Sequence, residues 1–131
     1  MYIEYTARRF IAPGHAAGGN YWIDVKLTRC DFDPQIEAQT TTALSGKSKT
    51  LLHRIDQTYD IATMYMNQPE QIAEMREFLG SVSGGESFMV SLHGDRASPL
   101  QPAMLDPITW KEERYGTTDY LMYTFKVRIT E

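Results

Sequence analysis

Apolar and polar residues alternate along most of this chain, which is the pattern of strands that bury one face. Residues 120–130 alternate most regularly, and residues 21–29, 86–94 and 2–10 follow the same two-residue period less completely. The side chains expected to point into a core are Tyr21, Ile23, Val25, Leu27, Phe88, Val90, Leu92, Tyr123, Phe125, Val127 and Ile129. We therefore predict a strand in each of these four segments.

A long antiparallel hairpin is predicted over residues 35–66. Its first half, residues 35–43, alternates and is rich in threonine, which suits an exposed strand surface. The segment 44–47 contains Gly46, which can adopt the positive φ that a tight reversal requires. In the second half, residues 49–66, the apolar side chains fall mostly on alternate positions and so on one face of the strand, and a bend is expected near 56–57.

Residues 69–79 predict the one α-helix of the chain. Pro69 suits the first helical turn, where its missing amide would have no partner in any case. The apolar stripe that would dock on a sheet consists of Ile72, Met75, Phe78 and Leu79. Glu74 and Glu77 are expected to face water, and Gly80 is expected to end the helix in a left-handed conformation.

The segment 100–113 contains Pro102 and Pro107, which lack the amide donor of a central strand and allow only edge strands. Together these patterns predict a mainly β fold. We expect an antiparallel β-sandwich or barrel with a long hairpin and one short flanking α-helix, built as a single domain over residues 1–131.

The composition is that of an ordinary globular domain, with 42% hydrophobic and 23% charged residues. A formal net charge of −4 and scattered basic residues argue against a nucleic-acid-binding module, which needs clustered Lys and Arg. No stretch approaches the roughly 20 apolar residues of a membrane span, and the first residues lack the order of a signal peptide. The single cysteine, Cys30, excludes an internal disulfide and suits a reducing compartment, so we expect synthesis in the cytoplasm.

The motifs that could carry chemistry do not form recognisable sites. The GKS sequence at 46–48 lacks the upstream glycine of a phosphate-binding loop, because Thr41 occupies that position. The residue types that most often bind metals are not at ligand spacings: His15, Cys30, His53 and His93. We therefore expect no catalytic residue, no cofactor, no metal and no enzyme activity, while a site assembled only in the fold stays open.

Four side chains are candidate subunit-interface residues because they lie opposite the expected core faces or at strand ends. They are Tyr5, Trp22, Tyr120 and Met122. Exposed aromatic and methionine side chains are enriched at protein interfaces. The alternative, that both faces of these strands are buried in a two-layer sandwich, stays open.

The order of features over residues 46–93 carries a resemblance. A threonine- and tyrosine-rich stretch, GKSKTLLHRIDQTYDIATMYM, is followed by PEQIAEMREFLGSV and then by GGESFMVSLHG, and the chain ends with YLMYTFKVRITE. This sequence resembles small tail proteins of long-tailed bacteriophages, of the distal tail or minor tail protein class. The resemblance implies a tail-tube-like fold, in which a β-sandwich or barrel is flanked by one helix.

The resemblance also implies a structural role in the virion tail. Such proteins form a homo-oligomeric ring, here expected to be hexameric, that joins the tail tube protein to tail-tip or baseplate hub proteins. DNA would pass through the lumen without specific binding, and hairpin 35–66 and the glycine-rich loop 12–20 would become ordered on assembly. Two alternatives remain: a head–tail joining or tail-terminator ring subunit, and a small-molecule-binding β-barrel lined by aromatics such as Tyr59 and Tyr65.

Overall fold

The computed structural model describes residues 1–42, 48–92 and 99–130, and it describes the side chains of all of these except 35–42 and 48–55. Its elements in chain order are β1 (Tyr2–Thr6), β2 (Asn20–Asp24), β3 (Leu27–Phe32), β4 (Gln35–Thr42), β5 (Ser48–Asp56), β6 (Thr58–Thr63), α1 (Pro69–Ser81), β7 (Phe88–Ser91), β8 (Gln101–Arg114) and β9 (Leu121–Ile129). The predicted mainly β fold is therefore confirmed.

Within the described residues, seven strands form one antiparallel sheet in the order β2-β1-β7-β8-β9-β6-β3. The two edge strands of this sheet, β2 and β3, are separated in sequence only by Val25 and Lys26. In a flat sheet, six inter-strand spacings would hold them about 29 Å apart, whereas three residue steps reach about 11 Å at most. The sheet must therefore curl until its edges meet, which makes the fold barrel-like.

The hydrogen bonds at positions 25 and 26 show how the edges meet. Val25 exchanges both of its backbone hydrogen bonds with Met1, at 2.7 and 2.8 Å. The next carbonyl, that of Lys26, accepts a hydrogen bond from the Met64 amide at 2.9 Å. The predicted strand 21–29 is thus two strands, because the extended chain changes partner from β1 to β6 at this point.

The core lies inside the curled sheet and is closed by α1. All four inward residues predicted on β9 are buried, as are those predicted at 23, 25, 88, 90 and 92, while Tyr21 and Leu27 are half-buried. Phe78 of α1 packs edge-on against Tyr5, Phe88 and Phe125, with ring centroids 5.5, 4.9 and 6.1 Å apart. Aromatic side chains therefore occupy the interior that a ligand-binding barrel would keep open.

The helix corrects two predictions. It continues through Gly80 to Ser81, and Gly80 is buried within it instead of ending it in a left-handed conformation. A Cβ at Gly80 would collide with the ring of Phe10, so the glycine lets this ring lie close against the helix. Glu77, expected to face water, is completely buried, because the loop after β1 covers this side of the helix.

The expectation that prolines exclude a central strand from residues 100–113 is wrong, because β8 lies between β7 and β9. Pro102 is the second residue of β8, and its carbonyl accepts a hydrogen bond from Thr130. Pro107 falls where the pairing with β9 is interrupted, between Leu105 and Trp110. Neither missing amide removes a bond from a regular part of the ladder.

The long hairpin is confirmed over 35–56, where β4 pairs with β5. The strand is interrupted at Gln57, within the region where the bend was predicted, and β6 then leaves the hairpin to pair with β9 and β3 in the large sheet. The predicted reversal at 44–47 lies outside the described residues.

Candidate assembly surfaces

The hairpin of β4 and β5 is the first candidate assembly surface. In the described part of the chain these strands form a two-stranded sheet of their own, and each makes its extensive contacts with the other. An isolated two-stranded hairpin is at best marginally stable in water. Edge strands also present backbone groups that can pair with another chain. The hairpin is therefore a segment that a neighbouring protein could stabilise.

The four predicted interface residues differ in how far they are exposed to solvent. Trp22 and Tyr120 are exposed, at 48% and 46% of their accessible surface, and Met122 is half-buried on the outer face of β9. Tyr5 is only 4% exposed, so the expectation that it faces outward is wrong. It shares the inward parity of Ile3 on β1 and packs against α1. Any interface role of the other three stays a prediction.

Tyr120 belongs to a larger aromatic surface that the sequence analysis did not assemble. Tyr65 and Tyr115 are exposed and meet edge to face, with ring centroids 5.4 Å apart. The amide of Tyr115 donates to the carbonyl of Tyr120 at 3.0 Å, and Met66 pairs with Leu121 beside them. We call Tyr65, Tyr115 and Tyr120 the tyrosine patch. Tyr65 and Tyr115, which are far apart in sequence, come into contact because β6 pairs with β9.

The loop between β1 and β2 is anchored on the buried carboxylate of Glu77. The Tyr5 hydroxyl donates to Oε1 at 2.5 Å, and the Ala12 amide donates to Oε2 at 2.7 Å. His15 Nδ1 lies 2.7 Å from Oε1, and its ring stacks on Tyr21 at 3.7 Å. Burial and the hydrogen bond to Glu77 raise the pKa of Tyr5 above its usual value.

We call Tyr5, Ala12, His15 and Glu77 the Glu77 cluster. The cluster fixes the start of the loop 12–20 on the helix. The expectation that this loop becomes ordered on assembly stays a prediction.

The residues considered for chemistry or ligand binding are dispersed. Cys30 is half-buried on β3, where burial raises the pKa of its thiol. Among the described residues, no group of three or more His, Cys, Asp or Glu is arranged to hold a metal ion. The side chain of His53 and all of His93 lie outside that part of the chain. Tyr59 packs against Phe32, with ring centroids 5.2 Å apart, while Tyr65 lines a surface cleft.

No helix in the described ranges is long and apolar enough to cross a membrane. A comparison of the sequence with protein-family models gives no match, and neither does a comparison with curated proteins.

Proposed function

We propose that this protein is a structural subunit of a bacteriophage tail, which assembles into a ring at the distal end of the tail tube and links the tube to the tail tip. The observation that carries the proposal is the β4–β5 hairpin, which forms a sheet separate from the barrel-like core. A subunit that must join copies of itself gains from such an arm, because pairing on a neighbour supplies the third strand that the hairpin lacks.

The exposed aromatic residues support the same proposal. The tyrosine patch and Trp22 lie outside the core, and tyrosine and tryptophan dominate the contact energy of many protein interfaces. The net charge of −4 also suits a ring around DNA, because an acidic lumen repels the phosphates and lets DNA pass. The expected partners are copies of this chain, the tail tube protein and the tail-tip or baseplate hub proteins.

The proposal is tested by comparing the full chain with a variant in which residues 36–55 are replaced by a short Gly-Ser linker. Gln35 and Asp56 are paired neighbours, so a short linker can join them without disturbing β6. We expect the full chain to form a ring, hexameric by light scattering and visible by electron microscopy, and the variant to be a folded monomer. A control variant, Ile108→Ala, removes an exposed apolar side chain outside the hairpin and the tyrosine patch and should still assemble.

Two results would count against the proposal. A full chain that stays monomeric at high concentration, and that mass spectrometry does not detect in purified virions, would overturn it. If the linker variant formed the same ring as the full chain, the hairpin would have no role in assembly.

A further inference from the structure

Phe10 is held in an energetically unfavourable, exposed position next to the C-terminal end of α1. Its φ is +53°, a left-handed conformation that costs energy for an aromatic residue, and 66% of its surface is exposed. Its ring rests against Gly80, and the next residue, Ile11, is also exposed. Backbone strain that displays an apolar side chain to solvent is unexplained by folding and suggests a binding role.

The backbone before Phe10 is fixed to the helix by a set of hydrogen bonds. The Ser81 hydroxyl accepts from the amides of Arg8 and Arg9, at 2.9 and 3.2 Å. The Arg9 guanidinium donates to the carbonyl of Gly80 at 3.1 Å and pairs with Glu86 at 2.9 Å. Phe10 is therefore presented on a rigid support, which lowers the entropic cost of binding through it.

A cleft of about 250 Å³ lies near the other end of the helix. Its walls include Ile23, Val25, Met66 and Met75, and its lining also contains Asp24, Glu74 and Lys26. Since cavities of about 150 Å³ hold benzene, this cleft has room for a phenyl ring with part of a neighbouring side chain.

The charges around the two features are complementary. Arg8 and Arg9 precede Phe10. Arg9 pairs with Glu86, whereas Arg8 is exposed and its guanidinium donates to the backbone carbonyls of Thr6 and Ser81. The cleft carries two acidic residues against one basic residue. Burial raises the pKa of Glu74; the nearby carboxylates of Glu77 and Glu70 add to this effect and His15 opposes it.

We propose that Phe10 of one subunit inserts into the cleft between β2 and the N-terminal half of α1 in a second copy of this chain. Gly80 and Gln71 are nine helical residues apart, which separates knob and cleft by about 14 Å along the axis. Contact between two different patches is head-to-tail, and such contacts close into rings or continue as filaments. This inference rests on the proposed function, and it specifies the contact that would repeat around the ring.

The first test is a cross-linking experiment in full-length chains carrying Cys30→Ser. One chain carries Ile11→Cys and another carries Lys26→Cys, because Ile11 is the exposed neighbour of the intact Phe10 and Lys26 is an exposed residue of the cleft. We expect a disulfide-linked dimer when the two chains are mixed and oxidised, and much less from either chain alone. Ring formation without a mixed dimer would overturn the inference and leave the proposed function standing, whereas absence of any oligomer would contradict both.

The second test is Phe10→Gly, with Ile108→Ala as a matched loss of an exposed apolar side chain. Glycine removes the ring and relieves the unfavourable φ, so we expect an unchanged or higher Tm together with at least about tenfold weaker association, as for an interface hot spot. The control should associate as the parent chain does. Parent-like association of Phe10→Gly would overturn the inference, and the Tm separates this outcome from misfolding.

Discussion

Replacing Glu77 with alanine removes the acceptor on which the loop after β1 is anchored. The Tyr5 hydroxyl and the Ala12 amide then lose their partner in a place that is shielded from water. Leaving a buried donor unsatisfied costs about 1–3 kcal/mol, so the two together cost about 2–6 kcal/mol. That is a large part of the roughly 5–15 kcal/mol that stabilises a typical domain.

Urea denaturation followed by circular dichroism measures this loss as a fall in the midpoint at constant m-value. Glu77→Gln is the matched variant, because it keeps the shape and one acceptor oxygen, and we expect it to lose about 1–2 kcal/mol. Adding Tyr5→Phe to Glu77→Ala removes one of the stranded donors, so the double variant should be less destabilised than the sum of the single changes.

Hydrogen exchange at the Ala12 amide gives an independent readout. We expect exchange at this amide to become faster in Glu77→Ala, while amides in the centre of β9 follow only the change in global stability. A loss below 1 kcal/mol in Glu77→Ala, or protection of the Ala12 amide that tracks β9, would refute the argument that this carboxylate anchors the loop.

Three further predictions concern α1 and its neighbours. Gly80→Ala should change the free energy of unfolding by less than about 1 kcal/mol, because the higher helix propensity of alanine offsets the cost of displacing the Phe10 ring. Association of the variant with itself, measured by light scattering, should weaken, and parent-like association would contradict the proposed insertion of Phe10. Hydrogen bonds from Arg76 of α1 and from Tyr123 lower the pKa of Glu112 below its usual 4.5. The stabilisation from these bonds is therefore present above pH 4.5 and is lost as the pH falls through the lowered pKa. Glu112→Gln should flatten the acid limb of a stability–pH curve, and an unchanged limb would contradict this. Burial and hydrogen bonds to glutamates raise the pKa values of Tyr5 and Tyr123 above their usual 10. Because the unfolded chain then loses these protons first, stability should fall by up to about 1.4 kcal/mol per tyrosine for each pH unit above 10. Tyr123→Phe should reduce that slope, and a slope equal to that of the parent chain would contradict this.

The elements with local periodicity could be predicted from the sequence. The alternation over residues 120–130 places the inward side chains of β9 correctly, because a strand buried on one face imposes a period of two. The apolar stripe of α1 is likewise predicted at Met75, Phe78 and Leu79. In both cases the residues that decide burial lie within one element.

Features that depend on distant parts of the chain were not predictable in the same way. Glu77 lies on the polar side of the helix pattern, and only the loop that folds over it makes that side buried. The sequence pattern places Tyr5 outward, because the untidy alternation of β1 does not reveal its contact with that carboxylate. Closure of the sheet at Val25 and Lys26 depends on pairings between strands far apart in sequence.

The link between β2 and β3 has a consequence for how the barrel-like sheet withstands local opening. Its edges are joined covalently through Val25 and Lys26, so breaking the hydrogen bonds there leaves the edges tethered. A tether of two residues keeps the effective concentration of one edge near the other high, and re-closure costs little loop entropy. The exposed edges then find each other before they meet another chain, which protects the protein from edge-to-edge aggregation at high concentration.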